Sequence, residues 1–276
     1  MDDETDAALL AAARAGDDAA LEALLQRHQA QVYRFGMKMC RDPEDAQDVL
    51  QETLLAMARG VRDFRGTSSL STWLYTIARS FCLKKRRRSK FAPDEHSLDT
   101  DAAPEASRLA DPSRAPDEAL AGKQIEHALE RAIGALDPMY REVLLLRDVE
   151  GLTAPEVAEV LGLSTQAVKS RLHRARLSVR ESIAPWLGIP SQAAPEPGTC
   201  PDVLTLFSQH LEGEIRAEVC AEMERHLEGC PRCRGACDSI KRTLALCRTS
   251  GPTVEVPAAV QASVKAALRS FLAGNR

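Results

Sequence analysis

The stretch that decides the fold is Gly151-Leu152-Thr153-Ala154-Pro155-Glu156-Val157-Ala158-Glu159-Val160-Leu161-Gly162-Leu163-Ser164-Thr165-Gln166-Ala167-Val168-Lys169-Ser170-Arg171-Leu172-His173-Arg174-Ala175-Arg176. Thr153 can cap the open amide groups of a helix, and Glu156 stands at the reciprocal position of a capping box. Val157 and Leu161 face inward, Gly162-Leu163-Ser164 turns the chain, and Ser164 caps a second helix. Val168, Leu172, Ala175 and Val179 recur at helical spacing and form a packing stripe. Gln166, Lys169, Ser170, His173 and Arg174 therefore point away from the core. A short helix, a glycine turn and a basic second helix suit insertion into a DNA major groove. Gln166 and Ser170 are placed to read base edges; Lys169, Arg171, Arg174 and Arg176 are assigned to phosphates or guanine edges. The competing interpretation is a solvated helical hairpin.

Composition sets the frame around this stretch. The 276 residues are 44% hydrophobic but only 4% aromatic, which favours an all-α arrangement of small modules over a large sheet core. A formal net charge of −4 argues weakly against nucleic-acid binding, but charge is unevenly spread. Lys84 to Lys90 carries six cations and no acid, and Leu163 to Arg180 carries five and no acid, while Asp94 to Glu118 holds eight acids. Local basic patches can bind phosphate within an acidic molecule. No apolar run is long enough to span a bilayer, and the acidic start resembles no signal peptide, so a reducing cytoplasm is expected and no membrane partner. No nucleotide-binding glycine loop, HExxH or nucleophile elbow occurs, so catalysis is not expected.

The chain divides into 6–90, a Pro-rich acidic linker at 91–121, the helix-turn-helix unit at 122–184, a second linker at 185–199, a cysteine-rich unit at 200–250 and a final amphipathic helix within 251–276. In the first unit Gly16-Asp17 marks a turn, and Asp42-Pro43 marks a helix start. Ala46, Val49, Leu50, Thr53, Leu54 and Met57 then face inward, leaving Glu44, Asp45, Asp48 and Glu52 outside. Trp73, Ile77, Phe81 and Lys84 mark a further helix, which ends in Lys84, Lys85, Arg86, Arg87, Arg88 and Lys90. Such a helix could grip a DNA backbone, and an exposed Trp73 could stack on an unpaired base, although Trp73 by itself suits a core position as well. Val260, Val264, Leu268 and Phe271 form the last stripe; it suits internal packing, subunit pairing or contact with the other units, so the oligomeric state is open.

Six of the eight cysteines fall between Cys200 and Cys247. Cys40 and Cys82 stand apart among apolar neighbours and fit a core. In His226-Leu227-Glu228-Gly229-Cys230-Pro231-Arg232-Cys233, Gly229 ends one helix and Pro231 opens the next. His226, Cys230 and Cys233 converge there, and Cys200 can fold back as the fourth ligand. One imidazole and three thiolates suit Zn2+ or Cd2+, with a copper ion as the alternative. A thiol core and a disulfide cluster are the plainer readings. His210, Cys220, Cys237 and Cys247 offer a possible second metal site, although an ideal helix separates Cys237 from Cys247 by about 15 Å.

Two blocks resemble the extracytoplasmic-function group of bacterial RNA polymerase sigma factors. One runs from Asp42-Pro43-Glu44-Asp45-Ala46-Gln47-Asp48-Val49-Leu50 through Phe64-Arg65-Gly66-Thr67 to Trp73-Leu74-Tyr75-Thr76-Ile77-Ala78-Arg79. The other runs from Leu136-Asp137-Pro138 through the stretch quoted first. The resemblance implies a sigma-2 domain, in which Asp45, Asp48 and Glu52 dock on core RNA polymerase and Phe64 to Arg88 opens and reads the −10 element. It also implies a sigma-4 domain, in which Gln166 to Arg176 reads the −35 element of promoter DNA. Ser80 stands where the family commonly has Asn, and Lys84 where it commonly has Asp, which leaves the promoter preference open. The cysteine-rich unit is similar to the zinc-binding anti-sigma domain, here fused to its target. With its extra thiols, it is also similar to sigma factors whose cysteine-rich C-terminal domain responds to copper, cadmium or zinc. The expected function is a metal-responsive sigma factor. The alternatives are a sigma factor with a permanent structural zinc, a redox-responsive interaction protein, and a conventional helix-turn-helix repressor.

Overall fold

Asp17 is the first capping residue that the fold uses: its carboxylate accepts the amides of Ala19 and Ala20 at 2.9 and 3.0 Å, starting a helix directly after a turn at Gly16. The computed structural model describes residues 2–91, 116–188, 200–249 and 255–274, with side chains at 5–87, 122–188, 200–249 and 255–273. The acidic stretch 92–115, the linker 189–199 and the side chains of Arg88 and Lys90 lie outside the described residues. Every regular element among the described residues is helical, and the helices fall into two compact units.

The first unit contains α1 (Asp2–Arg14), α2 (Asp18–Cys40), α3 (Pro43–Gly60), α4 (Leu70–Phe91) and α12 (Ala258–Gly274). Asp42 caps α3 by accepting the Asp45 amide at 2.8 Å, with Pro43 in the first turn. Ser69 does the same for α4, accepting from Thr72 N–H at 3.1 Å. The inward residues expected on α3, Ala46 to Met57, are all buried. Gly36 lets α2 and α3 approach closely, since a Cβ there would stand 3.2 Å from Ala46 Cα. Phe35 meets Tyr75 of α4 edge-on at 5.4 Å. The stripe of α12 (Val260, Val264, Leu268) is buried as α12 packs on α3, with Phe271 beneath the Arg59 guanidinium and Lys265 paired to Glu22 at 3.2 Å. The final helix thus resolves to internal packing on the first unit.

The second unit contains α5 (Pro116–Ala135), α6 (Pro138–Leu144), α7 (Ala154–Leu161), α8 (Thr165–Ile183), α9 (Val203–Leu211), α10 (Ala217–Gly229) and α11 (Pro231–Thr249). Helix α5 begins inside the segment expected to be linker. The capping box on α7 is complete: Glu156 Oε2 accepts Thr153 N–H at 2.9 Å, and Thr153 Oγ1 accepts Glu156 N–H at 3.4 Å. Gly162 ends α7 at φ +66°, a left-handed conformation that favours glycine, and Ser164 caps α8 through Ala167 N–H at 3.2 Å. Val168, Leu172, Ala175 and Val179 are completely buried. Between α6 and α7 a π-helical turn, Leu145–Val149, swings the Asp148 carboxylate into the core.

The sequence reading separated 122–184 from 200–250, but α9 and α11 pack directly on α8. Leu177 of α8 joins the core formed by Val203, Phe207, Met223, Cys233, Ala236, Cys237, Ile240 and Leu244. The physical reason is that α9 to α11 are too short to close a core alone and borrow an apolar face. Leu172→Ala removes a fully buried side chain and should destabilise this unit by about 2–5 kcal/mol in urea denaturation, whereas Gln166→Ala, on the exposed face, should change it by less than about 0.5 kcal/mol.

Candidate metal centre and recognition helix

Cys200, His226, Cys230 and Cys233 bring one ligand atom each to a cluster in which all four lie within 4.8 Å of one another. Local sequence explains the convergence. His226 sits in the last turn of α10, Cys230 is the extended residue where α10 ends, and Pro231 starts α11 so that Cys233 falls in its first turn. Cys200 comes alongside because Asp202 caps α9, accepting Thr205 N–H at 3.2 Å, and α9 packs on α11.

The donor set fits a tetrahedral cation. Zinc–sulfur bonds of about 2.3 Å place tetrahedral sulfurs about 3.8 Å apart; Cys200 Sγ and Cys230 Sγ are 3.9 Å apart. His226 Nε2 is buried without a hydrogen-bond partner, an unfavourable state that a cation would offset. The Cys233 backbone N–H holds the Cys230 thiol below its ordinary range, as expected of a cysteine at a helix start. Burial, together with hydrogen bonds from Cys200 and Cys230, pushes the Cys233 thiol up to about 12. A bound cation supplies the positive charge that lets these thiols ionise together.

The second site expected from His210, Cys220, Cys237 and Cys247 is not assembled among the described residues. His210 Nδ1 and Cys220 Sγ do meet, at 2.9 Å across the α9–α10 connection. Cys237 and Cys247 instead point into the core along α11, at 1% and 0% exposure, with Cys237 beside the Val203 carbonyl. One straight helix spaces them too far apart to share an ion. None of the eight cysteines forms a disulfide. Cys82 is buried and Cys40 half-buried beside it, and the hydrogen bond with Cys82 holds the Cys40 thiol below its ordinary range.

On α8 the residues assigned to DNA divide into two groups. Gln166, Ser170 and Arg174 are exposed, the last donating to Tyr140 Oη at 3.2 Å, and Arg171 is half-buried. The remainder are held by α9 and by the turn that follows it. Lys169 Nζ lies 3.3 Å from Glu214 and donates to the Glu212 carbonyl at 3.2 Å. His173 Nε2 meets Thr205 Oγ1 at 3.2 Å, and burial holds this imidazole below its ordinary range. The assignment of Arg176 to phosphates or guanine edges needs correction for this arrangement. Its side chain is 2% exposed, bonded to both Asp148 oxygens at 2.9 and 2.7 Å and to Glu212 at 2.8 Å, so no phosphate can reach it. It belongs to the inner flank of α8, one residue beyond Ala175 of the stripe. Sequence reading missed Asp148, Thr205, Ser208, Glu212 and Glu214. The Glu212-Gly213-Glu214 turn was not singled out: its partners are 36 or more residues away and no local pattern names them.

In the first unit Trp73 stacks on Phe64 at 4.8 Å and is half-buried, while Lys84, Arg86 and Arg87 are exposed. Lys85 is turned from any phosphate toward α3, pairing with Asp45 at 3.0 Å and with Asp48, while Glu52 is exposed. Among the described residues no helix is long and apolar enough to cross a membrane.

Cys230→Ser should weaken zinc binding more than about 100-fold in a chelator competition, exceeding what is usual for residues that merely orient ligands. Chelation of the wild-type chain should lower the melting temperature of the second unit, because Cys200, Cys230 and Cys233 are packed into its core.

Comparison with known families agrees with this geometry. The Sigma-70 region 2 model matches residues 24–91, the Sigma-70 region 4 model matches 126–179, and a zinc-finger family model matches 200–234. The ECF RNA polymerase sigma factor SigM of Mycobacterium tuberculosis H37Rv is 35% identical over 176 residues, spanning 63% of this chain and 82% of SigM. The RNA polymerase sigma-H factor of Pseudomonas aeruginosa is 28% identical over 190 residues, spanning 67% and 96%. Among solved structures, CnrH in complex with the cytosolic domain of CnrY is 27% identical, covers 68% of this chain and 99% of that one, and has a TM-score of 0.45. Sigma factors of this kind act by binding core RNA polymerase and promoter DNA and catalyse no reaction. With its region 2 and region 4 modules followed by a cysteine and histidine cluster able to hold a metal ion, the chain belongs to the ECF RNA polymerase sigma factors.

Proposed function

We propose that this sigma factor is metal-responsive, and that the ion held by Cys200, His226, Cys230 and Cys233 sets whether its DNA-reading helix can engage a promoter. The observation that carries this reading is the shared core. Leu177 of α8 packs in the same apolar cluster as Cys200, Cys230 and Cys233, so a change in ligand geometry bears directly on the seat of α8. In this reading Asp45, Asp48 and Glu52 face core polymerase, and Trp73, Lys84, Arg86, Arg87 and Arg88 act at the −10 element, with Lys85 joining them once it leaves Asp48. Gln166 and Ser170 read base edges of the −35 element, while Lys169, Arg171 and Arg174 hold phosphates, and His173 becomes available only when α9 withdraws; Arg176 stays with Asp148 in the core. Three thiolates and an imidazole favour Zn2+ or Cd2+, with copper the next candidate.

Switching has a quantitative requirement. Carrying the population from 1:99 to 99:1 needs an ion that favours one arrangement about 10,000-fold. A permanent zinc, equally bound in both arrangements, shifts nothing. The test is transcription of total genomic DNA by core polymerase and the full chain, metal-stripped or loaded with zinc, cadmium or copper, with transcript 5′ ends sequenced. We expect yields from one set of promoters to differ at least about tenfold between metal states, and Cys230→Ser to flatten the difference. Equal yields throughout would leave a structural zinc and overturn the metal response. Gln166→Ala should relax base preference upstream of those start sites by about 1–3 kcal/mol at one position.

A further inference from the structure

The α9–α10 connection presents two carboxylates to cations along one flank of α8. Glu212 is the more committed: its side chain is 4% exposed, and it accepts from Arg176 at 2.8 Å and from Arg147 at 3.2 Å. Glu214 is 22% exposed and pairs with Lys169 at 3.3 Å, while the Glu212 carbonyl takes a second bond from the same ammonium. Gly213, at φ +66°, provides the left-handed turn between the two acids. The contact of His210 Nδ1 with Cys220 Sγ at 2.9 Å closes the connection at its base. Three cations on or beside α8 are thus held by one short turn of chain, and of the three Lys169 is the one on the flank that a phosphate can reach.

We propose that the Glu212-Gly213-Glu214 turn is an intramolecular phosphate mimic, which competes with promoter DNA for Lys169 and its neighbours. The inference rests on the reading that α8 enters the −35 element. Two physical arguments support mutual exclusion. A major groove about 12 Å wide accepts one helix whose diameter with side chains is about 10–12 Å, so α8 cannot lie in it with α9 against its His173 flank. Lys169 already spends two of its three ammonium protons on Glu214 and the Glu212 carbonyl, so a phosphate reaching the third would have to lie beside the Glu214 carboxylate against like-charge repulsion. DNA binding by α8 therefore requires the turn to leave, and tight seating of the turn silences α8 in the absence of any second protein.

The experiment measures binding of the full chain, without polymerase, to a random-sequence duplex of about 25 base pairs, which exceeds two helical turns, across a salt series. It compares wild type, Glu214→Gln, and Glu212→Gln with Glu214→Gln. A control, Glu218→Gln with Glu222→Gln, removes the same charge from exposed positions of α10. Releasing Lys169 should tighten binding about tenfold at low salt and steepen the logarithmic salt dependence by about one, while the control changes the slope by much less. Lys169→Ala in the Glu214→Gln background should remove the gain. If the double glutamine variant unfolds, Glu214→Gln carries the test, because Arg176 then keeps both Asp148 and Glu212. Binding by the Glu214 variants equal to the control would overturn the mimic while leaving the metal response of transcription standing. A gain that survives Lys169→Ala would overturn both the mimic and the placement of α8 on DNA.

Discussion

A guanidinium at 2% exposure cannot stand alone, and the way Arg176 is satisfied organises the whole second unit. Burying a charge is tolerated only where it is paired and its donors are filled, and removal of one partner is typically worth several kcal/mol. Asp148 provides the fixed half of that environment: the π-helical turn at Leu145–Val149 places its two oxygens in a bidentate bond to Arg176. Glu212 provides the other half, from 36 residues downstream and from a different family module. Arg176, with Lys169 and Arg147, is one of the cations through which region 4 and the cysteine-rich region are joined.

The metal cluster answers a related need of small helices. Helices α10 and α11 meet end to end at Gly229-Cys230-Pro231, and α10, in which Met223 alone is fully buried, has little apolar surface to fix the angle between them. Ligands at the last turn of one helix and the first turn of the next turn that angle into a coordination geometry. Because Cys200, Cys230 and Cys233 border the core that holds Leu177, the geometry of this cluster and the seat of α8 are parts of one packing problem. Close packing transmits such changes, since interiors have no slack to absorb them.

Much of this was legible from local sequence. The capping box at Thr153 and Glu156, the turn at Gly162, the stripe Val168-Leu172-Ala175-Val179 and the Asp42-Pro43 helix start are all short-range devices, whose partners lie within one or two turns. The metal quartet was legible for a related reason. Three of its members lie in an eight-residue run, and the chemistry of thiolates and imidazole left few candidates for the fourth. Legibility failed where the partner was distant. Cys237 looked like a spare ligand, yet helical phase turns it into the core; Arg176 looked like a phosphate contact, yet its Asp148 partner sits on a turn whose π geometry no periodicity reveals.

From the sequence alone came most of the helices, their buried stripes and the grouping of His226, Cys230 and Cys233, because each depends on residues close together in the chain; the two sigma modules came from the resemblance of whole blocks. Only the tertiary structure decided what covers what: α12 on α3 rather than apart, α9 and α11 on α8 rather than across a linker, and Glu212 and Glu214 on the cations of α8. Amphipathic faces state that burial is required but not against which partner, and a carboxylate's sequence position carries no information about the distant cation it will neutralise.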